Sequence, residues 1–333
     1  MSMELVRRIL IIQVTRIGDT LLATPAIKAV AEYFPQAKIT VLAHPKRREL
    51  FLHNPYINQV ASITKLSSIF KGFFIKEPYD LAFVYGFEKN LVKFAIKVSK
   101  KVIAFDQSDD ALNRQLAVVV NPEGQDNYTA VDYLLKLPQA VGINQTVSKR
   151  LIFKLTDNEI SAAKKRLKVL LEGNNLLVGL QIASFSTKSY RDWPVEHFAQ
   201  LAQQLKVKYP NTHFLIFGGK AEEDRIQWLA QQLPDYVTPL AGKLSLRETA
   251  ACMSLLDLYV GIDTGPTHLM GCFEVPMVIL YHHASEQLKP IGHPSLIVLS
   301  HPDEDLAGRH NMADIAVSNV LLNCTKVLGL ESI

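Results

Sequence analysis

The sequence predicts an α/β protein made of two doubly wound domains that face each other across a cleft. Three observations predict it. A chain of 333 residues exceeds what one hydrophobic core usually supports. Apolar runs of strand length alternate with helical segments, the pattern of a parallel sheet with helices on both faces. The pattern then restarts after a changeover near residues 150–175, which gives a first domain over 1–160, a second over 172–310 and a closing segment over 311–333.

The elements follow in order. Residues 8–14 (RILIIQV) read as a buried strand, because the run is apolar and β-branched without alternation. Residues 20–33 carry helical spacing in Leu21, Leu22, Ala26, Ala29, Val30 and Tyr33. Strands are expected at 37–45, 79–86 and 101–106, with a helix over 88–100. The second array opens with a polar helix over 156–175, closed by Gly173 and Asn174, and a strand over 176–184. A helix over 193–210 has Pro194 in its first turn and Pro210 beyond its end. Strands at 212–219, 257–263 and 276–281 alternate with helices at 221–233, 244–256 and from 265, and residues 311–330 form a last amphipathic helix.

Composition narrows the function classes. With 48% hydrophobic and 20% charged residues, the chain has an ordinary globular make-up. No apolar run approaches the roughly 18 residues of a spanning helix. The opening MSMELVRRILIIQV lacks a signal-peptide layout, so a cytoplasmic location is expected. Cys252, Cys272 and Cys324 lack metal spacing and read as buried thiols. The net charge of +4 is unevenly spread: residues 1–101 hold 16 Lys+Arg against 7 Asp+Glu, and the remainder holds 20 against 25. A basic half collects an anionic partner, whether nucleic acid, a membrane surface or an acidic substrate, and a solvated surface is the plainer alternative.

No GxGxxG follows either opening strand and no GxxxxGK[ST] occurs, so nicotinamide redox chemistry and P-loop hydrolysis lose their main sequence support. HExxH and Cys/His metal spacings are absent, and no metal or cofactor is expected. Three strand-to-helix junctions carry chemistry instead. In GIDTGPTHLMG (261–271), unpaired N–H groups of Thr264, Gly265, Thr267 and His268 are expected to form a phosphate site, with Asp263 or Thr264 as a plain N-cap the alternative. In SFSTKSYRDWPVEHF (184–198), hydroxyls including Thr187, the cations Lys188 and Arg191, and a helix start make a second phosphate candidate, against a solvated polar loop. In FGGKAEEDR (217–225), Glu222 or Glu223 is placed either to meet ribose hydroxyls or as an exposed first-turn acid.

A further junction is TRIGDTLL (15–22), which lodges Asp19 between two buried segments. As an N-cap, Asp19 would accept N–H bonds from residues 21–22, a role worth about 1 kcal/mol. No Glu or Gln stands at the third position to complete a capping box. As a general base, it needs only to reach an acceptor hydroxyl at a strand end. The pattern leaves both roles open.

The stretches ILIIQVTRIGDTLLATPAIKAVAEYFPQAKITVLAHP, YRDWPVEHFAQLAQQL, LAGKLSLRETAACMSLLDLYVGIDTGPTHLMGCFEVPMVILY and ADIAVSNVLLNCTKVL resemble the bacterial lipopolysaccharide heptosyltransferases, glycosyltransferase family 9. The likeness runs in order along nearly the whole chain and is most specific at Gly18-Asp19 and at Asp263-Thr264-Gly265-x-x-His268. It implies the GT-B fold, two Rossmann-like domains with the donor mainly in the second and a C-terminal helix packing back toward the first. It implies an inverting, metal-independent transfer from ADP-L-glycero-D-manno-heptose to an inner core, Kdo-lipid A or its heptosylated form.

Asp19 matches the family's catalytic base. Arg191 falls where the family usually has a donor-phosphate lysine, a task Lys188 shares. Asp263, Thr264, Gly265 and His268 match the donor loop, and Met253 lies where adenine-side contacts are expected. Thr20, Lys46, Arg47, Arg48, Lys89 and Lys93 become the candidates for the acceptor's anionic groups and for the inner membrane surface. The implied protein is a monomer at the cytoplasmic face of that membrane, without a nucleic-acid partner. One departure stands out: after VILY the family usually continues Gly-Pro-Thr-x-Pro, and this chain reads HHASEQLKPIGHP. An acceptor-free nucleotide-sugar enzyme such as an epimerase, and a non-catalytic binder, are the alternatives.

Overall fold

The computed structural model describes residues 6–68, 78–121, 129–184, 186–282, 288–300 and 312–329. The chain divides into two compact units, Met1–Lys154 with Pro290–Gly292 and Leu155–Lys289 with His293–Ile333. Part of the atypical stretch after Tyr281, residues 283–287, lies outside the described residues.

The first unit holds β1 (Arg8–Gln13), α1 (Ile17–Leu22), α2 (Thr24–Tyr33), β2 (Lys38–Ala43), β3 (Gln59–Ser62), β4 (Tyr79–Tyr85), α3 (Lys89–Val98), β5 (Ser99–Phe105), α4 (Asp110–Asn113), β6 (Val118–Val120) and α5 (Ala130–Gln139). Its six strands are all parallel, in the order β3-β2-β1-β4-β5-β6. The second unit holds α6 (Asp157–Arg166), α7 (Lys168–Glu172), β7 (Leu176–Gln181), α8 (Val195–Lys208), β8 (Thr212–Phe217), α9 (Glu223–Gln232), β9 (Val237–Pro239), α10 (Leu246–Met253), β10 (Leu258–Ile262), α11 (Gly265–Met270), β11 (Met277–Tyr281), β12 (Leu296–Ser300) and α12 (Val317–Val327). Its sheet, read from the other edge, runs β9-β8-β7-β10-β11-β12 and is again all parallel. Both sheets therefore have the Rossmann order 3-2-1-4-5-6, with a reversal between the first and fourth strands.

The inner strands explain the continuous apolar runs. Leu10, Ile12, Ala82, Val84, Val102 and Ala104 meet Leu91, Val92, Phe94, Ala95 and Val98 of α3 on one face. In the second unit, Val178, Leu180, Val260, Ile262, Val278 and Leu280 meet Phe198, Leu201 and Leu205 of α8 and Ile226 and Leu229 of α9. Each Val, Leu, Ile or Phe among them contributes about 1.5–3 kcal/mol on burial. The helix expected over 20–33 begins earlier and is broken at Ala23, which ends α1 and opens α2. Of the segment 311–330, residues 317–327 form α12, which packs on α8, β11 and β12 through Val317, Val320 and Cys324.

The polar helix α6 is tied to α10 by two ion pairs, an exposed one between Arg166 and Glu248 at 3.2 Å and a less exposed one between Glu159 and Arg247. Arg247 bonds both carboxylate oxygens of Glu159, with Nη2 2.9 Å from Oε2. Glu159 also completes a capping box with Thr156, whose N–H and hydroxyl lie 2.7 and 2.9 Å from Oε2. The Arg247 guanidinium first, and then the Thr156 donors, hold the Glu159 carboxyl down to about 2 against the opposing effect of burial. A carboxyl depressed in the folded state stabilises above its unfolded value, 4.5, and that stabilisation is lost as pH falls toward about 2. Glu159→Gln is therefore expected to lose about 1–3 kcal/mol at neutral pH, because Arg247 is left without its partner carboxylate. Urea denaturation across pH should show a shallower rise in stability between 2 and 4.5 for the variant, by up to about 1.4 kcal/mol per pH unit. Parallel profiles would refute the assignment.

Candidate functional site

In each sheet the loops diverge where the strand order reverses, and both sets of candidate residues stand at those points. In the second unit, β7 and β10 are neighbours. β10 ends at Ile262 and Asp263 follows, nearly buried. The loop after β7 runs through a 3-10 stretch, Ser186–Arg191, and brings Arg191 back to β10. Arg191 Nη1 donates to Asp263 Oδ2 at 2.5 Å, and its Nε lies 3.3 Å from the Tyr190 hydroxyl. On the other side of Asp263, His268 Nε2 is 4.0 Å from Oδ1, and His268 is itself buried. Tyr190 meets His282, the residue after β11, edge to face at 5.1 Å. The Arg191 guanidinium, expected to face a phosphate, is thus oriented by a carboxylate while keeping further N–H donors.

The next two residues of the motif fix the loop. Asp192 Oδ1 accepts from Ser184 N at 2.9 Å, and Oδ2 pairs with Arg225 of α9. Trp193, 1% exposed, donates its indole N–H to the Ile315 carbonyl at 2.9 Å. Thr187 and Lys188 belong to the same 3-10 stretch as Arg191.

The turn after β10 differs from expectation. Thr264, extended at φ −142°, is the N-cap of a helix of six residues. The N–H groups of Thr267 and His268 bond to the Thr264 carbonyl, so they are not the unpaired donors the sequence predicts. A short helix closes its own first turn, which restricts the donors on offer to those of Thr264 and Gly265. The turn is held from below instead. Thr267 Oγ1 donates its one proton to the Ile262 carbonyl at 2.5 Å. The hydroxyls of Tyr259 at 3.0 Å and Thr264 at 3.2 Å must then both donate to it. Tyr259 is fully buried, and burial pushes its hydroxyl well above the usual range. Its ring has room because Gly261, two residues along β10, lacks a side chain.

Two further candidates lie elsewhere. Glu222 Oε2 accepts from Gly219 N at 2.5 Å, which makes the carboxylate a local cap and commits one oxygen of the expected ribose contact. Met253 is fully buried in the interior beside α10's C-terminus.

In the first unit, Gln13, Ala43 and Tyr85 stand level at the carboxyl edge. Of the two roles the pattern leaves open for Asp19, the N-cap is not the one it takes. The N-cap is Arg16, whose carbonyl accepts from Thr20 N at 2.9 Å, and Asp19 is the exposed third residue of α1. The helix starts at Ile17, two residues before Asp19. Thr20 is fully buried and its hydroxyl donates to Arg16 O at 2.7 Å, so it braces the turn. Gln13, also buried, donates its amide to the Asp19 carbonyl at 2.7 Å.

Lys46, Arg47 and Arg48 follow β2, in a turn closed by His44, whose carbonyl accepts from the N–H groups of Arg47 and Arg48. Burial first, then Arg47 and Lys46, lower the pKa of His44. Lys89 bonds Asp109 at 3.0 Å, which with the Leu112 N–H holds that carboxyl below its usual range. Lys93 lies one turn further along α3 and is exposed. Sequence reasoning missed Gln13, Tyr259, Gly261 and Asp192, and the bracing role of the Thr267 hydroxyl. A glycine spaced two from a tyrosine in an otherwise apolar strand was the available signal.

Two Rossmann-like domains, each with its polar side chains gathered where the strand order reverses, make this a GT-B protein. The chain belongs to glycosyltransferase family 9 (heptosyltransferase), whose profile matches residues 87–313. It is similar to the lipopolysaccharide core heptosyltransferase OpsX of Haemophilus influenzae, 23% identical over 291 residues that cover 84% of this chain and 80% of that protein. It is also similar to lipopolysaccharide heptosyltransferase 3 of Escherichia coli, 25% identical over 79% of this chain and 80% of that one. Among solved structures, the family 9 glycosyltransferase of Veillonella parvula shares the fold with a TM-score of 0.87, 20% identity and 99% of both chains covered. E. coli ADP-heptose lps heptosyltransferase II does so with a TM-score of 0.81, 20% identity and 97% and 99% covered.

The Tyr259 seat makes a direct prediction. A Cβ at Gly261 would fall 2.7–2.8 Å from three atoms of the Tyr259 ring and hydroxyl. Gly261→Ala is expected to destabilise the protein by about 1–3 kcal/mol through overpacking. An unchanged urea midpoint would show that the ring is not confined as described.

Proposed function

We propose that this chain is an inverting heptosyltransferase that uses ADP-L-glycero-D-manno-heptose and an anionic lipopolysaccharide inner core, Kdo-lipid A or its heptosylated form. The observation that carries the reading is Asp19. It is an exposed carboxylate on the first turn after β1, at the reversal point of the first sheet, and it caps nothing. In this reading Asp19 removes the proton from an acceptor hydroxyl as that oxygen attacks the anomeric carbon from the face opposite the diphosphate. One displacement inverts the configuration, and ADP leaves.

The leaving diphosphate is held by cations and fixed donors instead of a metal. Arg191 supplies the N–H groups that Asp263 and Tyr190 do not use, Lys188 adds a point charge, and Thr187, Thr264, Gly265 and His268 line the same loops. Asp263 holds the guanidinium in place. Lys46, Arg47, Arg48, Lys89 and Lys93 meet the acceptor's carboxylates and phosphates and the anionic leaflet, which makes the protein peripheral to the cytoplasmic face of the inner membrane. The names of the similar proteins support heptose and the lipopolysaccharide core as the substrate classes.

Because Arg16 is the cap, Asp19 can be changed at little structural cost, about 0.3–1 kcal/mol from the helix dipole. Asp19→Ala is expected to lower turnover at least ~100-fold and to leave ADP affinity within a few-fold. The assay is heptose transfer to truncated core acceptors, read as a mass gain of one heptose. Unaltered turnover in that variant would remove Asp19 from the mechanism. Activity is also expected to persist in excess EDTA. Its loss there, with recovery on adding Mg²⁺, would replace the cationic side chains with a metal.

A further inference from the structure

Phe87 follows β4, the strand next to β1, at the reversal point of the first sheet. Its side chain is 53% exposed. Single exposed apolar residues are common and carry no meaning by themselves. This one is built in. Gly86 before it has φ +128°, a conformation that favours glycine, and nothing lies within 4 Å of where a Cβ would be. The glycine therefore serves the direction of the chain and not a close contact. The Gly86 carbonyl accepts from the buried Gln107 amide at 3.3 Å, and the same nitrogen bonds the Phe105 carbonyl at 2.7 Å. Glu88 after it pairs with Lys65 and accepts the first N–H bonds of α3.

The ring itself tops a ladder. Phe87 and Phe105 have centroids 5.9 Å apart with planes at 32°, and Phe105 stacks on Tyr133 at 4.4 Å and 6°. Phe105 is 1% exposed, so the ladder runs from the interior to the surface. A ring covered on one side and fixed at its base presents a preorganised apolar area and loses little freedom when a ligand covers it. It stands one strand away from the turn that carries Asp19, and two residues before Lys89.

We propose that Phe87 is a stacking platform for a pyranose ring of the acceptor saccharide. The inference rests on the transferase reading above and adds a subsite to it. The C–H face of a pyranose is apolar and weakly positive, and it meets the negative face of an aromatic ring. The sugar's hydroxyl and acidic groups then point outward, toward cations such as Lys89 and Lys93. A membrane contact would use a projecting apolar tip, whereas Phe87 is half covered by its neighbours and set at the strand ends where ligands of such sheets bind.

The test uses the full chain, a deacylated, phosphorylated inner-core oligosaccharide, and the same core carrying its lipid. Phe87→Ala is expected to raise KM for both acceptors about 10-fold, the size of a lost aromatic contact, with donor KM within about twofold and Tm within about 2 °C. Phe87→Trp and Phe87→Tyr, which keep a ring, are expected to restore KM. Acceptor KM unchanged in Phe87→Ala, or not restored by Trp and Tyr, overturns the platform. An effect confined to the lipid-bearing acceptor also overturns it and makes the ring a lipid contact. If the wild type transfers nothing, the transferase reading fails separately. Saturation-transfer NMR then decides the inference: oligosaccharide protons saturated by the wild type and not by Phe87→Ala uphold it, and no saturation by either overturns it.

Discussion

Parallel strands need crossovers, and crossovers are right-handed. Where the strand order reverses, consecutive helices leave for opposite faces of the sheet. The carboxyl ends of the two strands at that point are left without a covering element. Both halves of this chain obey that constraint, between β1 and β4 and between β7 and β10. Asp263 directly follows one of those strand ends and Phe87 lies two residues past another, and Asp19 and Arg191 belong to the segments that follow the other two. The fold thus does not merely carry the candidate site. It creates two places where polar backbone and side chains remain accessible at the edge of an apolar sheet.

Such places must be stabilised, and the two domains do so alike. The last residue of the first strand is a buried glutamine in each, Gln13 and Gln181. Each donates its amide to a carbonyl of the loop that follows, Asp19 O at 2.7 Å and Ala183 O at 2.9 Å. Leaving a buried polar atom unbonded costs about 1–3 kcal/mol, so these bonds fix the loops by penalty as much as by gain. In the second domain the same logic extends to charge. Asp263 is nearly buried and is tolerable as a carboxylate because Arg191 reaches it from the neighbouring loop. Tyr259 does for the following turn what the glutamines do for theirs, at the cost of a strand position, Gly261, without a side chain.

This distribution explains what was legible in the sequence. The eight strands read from apolar runs are the inner four of each sheet. The four that were missed, β3, β6, β9 and β12, are the edges. An edge strand is only partly covered, and QVAS, VVV and VTP are too short or too mixed to stand out from loops. The site residues were legible as types at junctions, because strand ends and helix starts leave a local signature. Their partners were not. That Arg191 turns to Asp263, 72 residues away, and that Glu222 folds back on Gly219, depend on tertiary placement. The cap alternative for Asp19 could not be dismissed from the sequence because Arg16, a poor capping residue, holds the cap position without a side-chain bond.

The geometry also bears on the presence of an arginine at position 191. The family usually has lysine where this chain has Arg191. A lysine ammonium is one compact charge: bound to Asp263, it would have little reach left for a second anion. A guanidinium has five donors in a planar fork. It gives one N–H to Asp263 and one to Tyr190, and its remaining edge stays charged and oriented. The carboxylate therefore does not cancel the cation for the purpose of binding. It sets the plane in which the fork lies, while the Asp192 contacts with Ser184 N and Arg225 set the loop that carries it. An arginine at this position is consistent with an anion held by direction as well as by charge. That is what a site must provide if it is to stabilise a departing diphosphate with side chains alone.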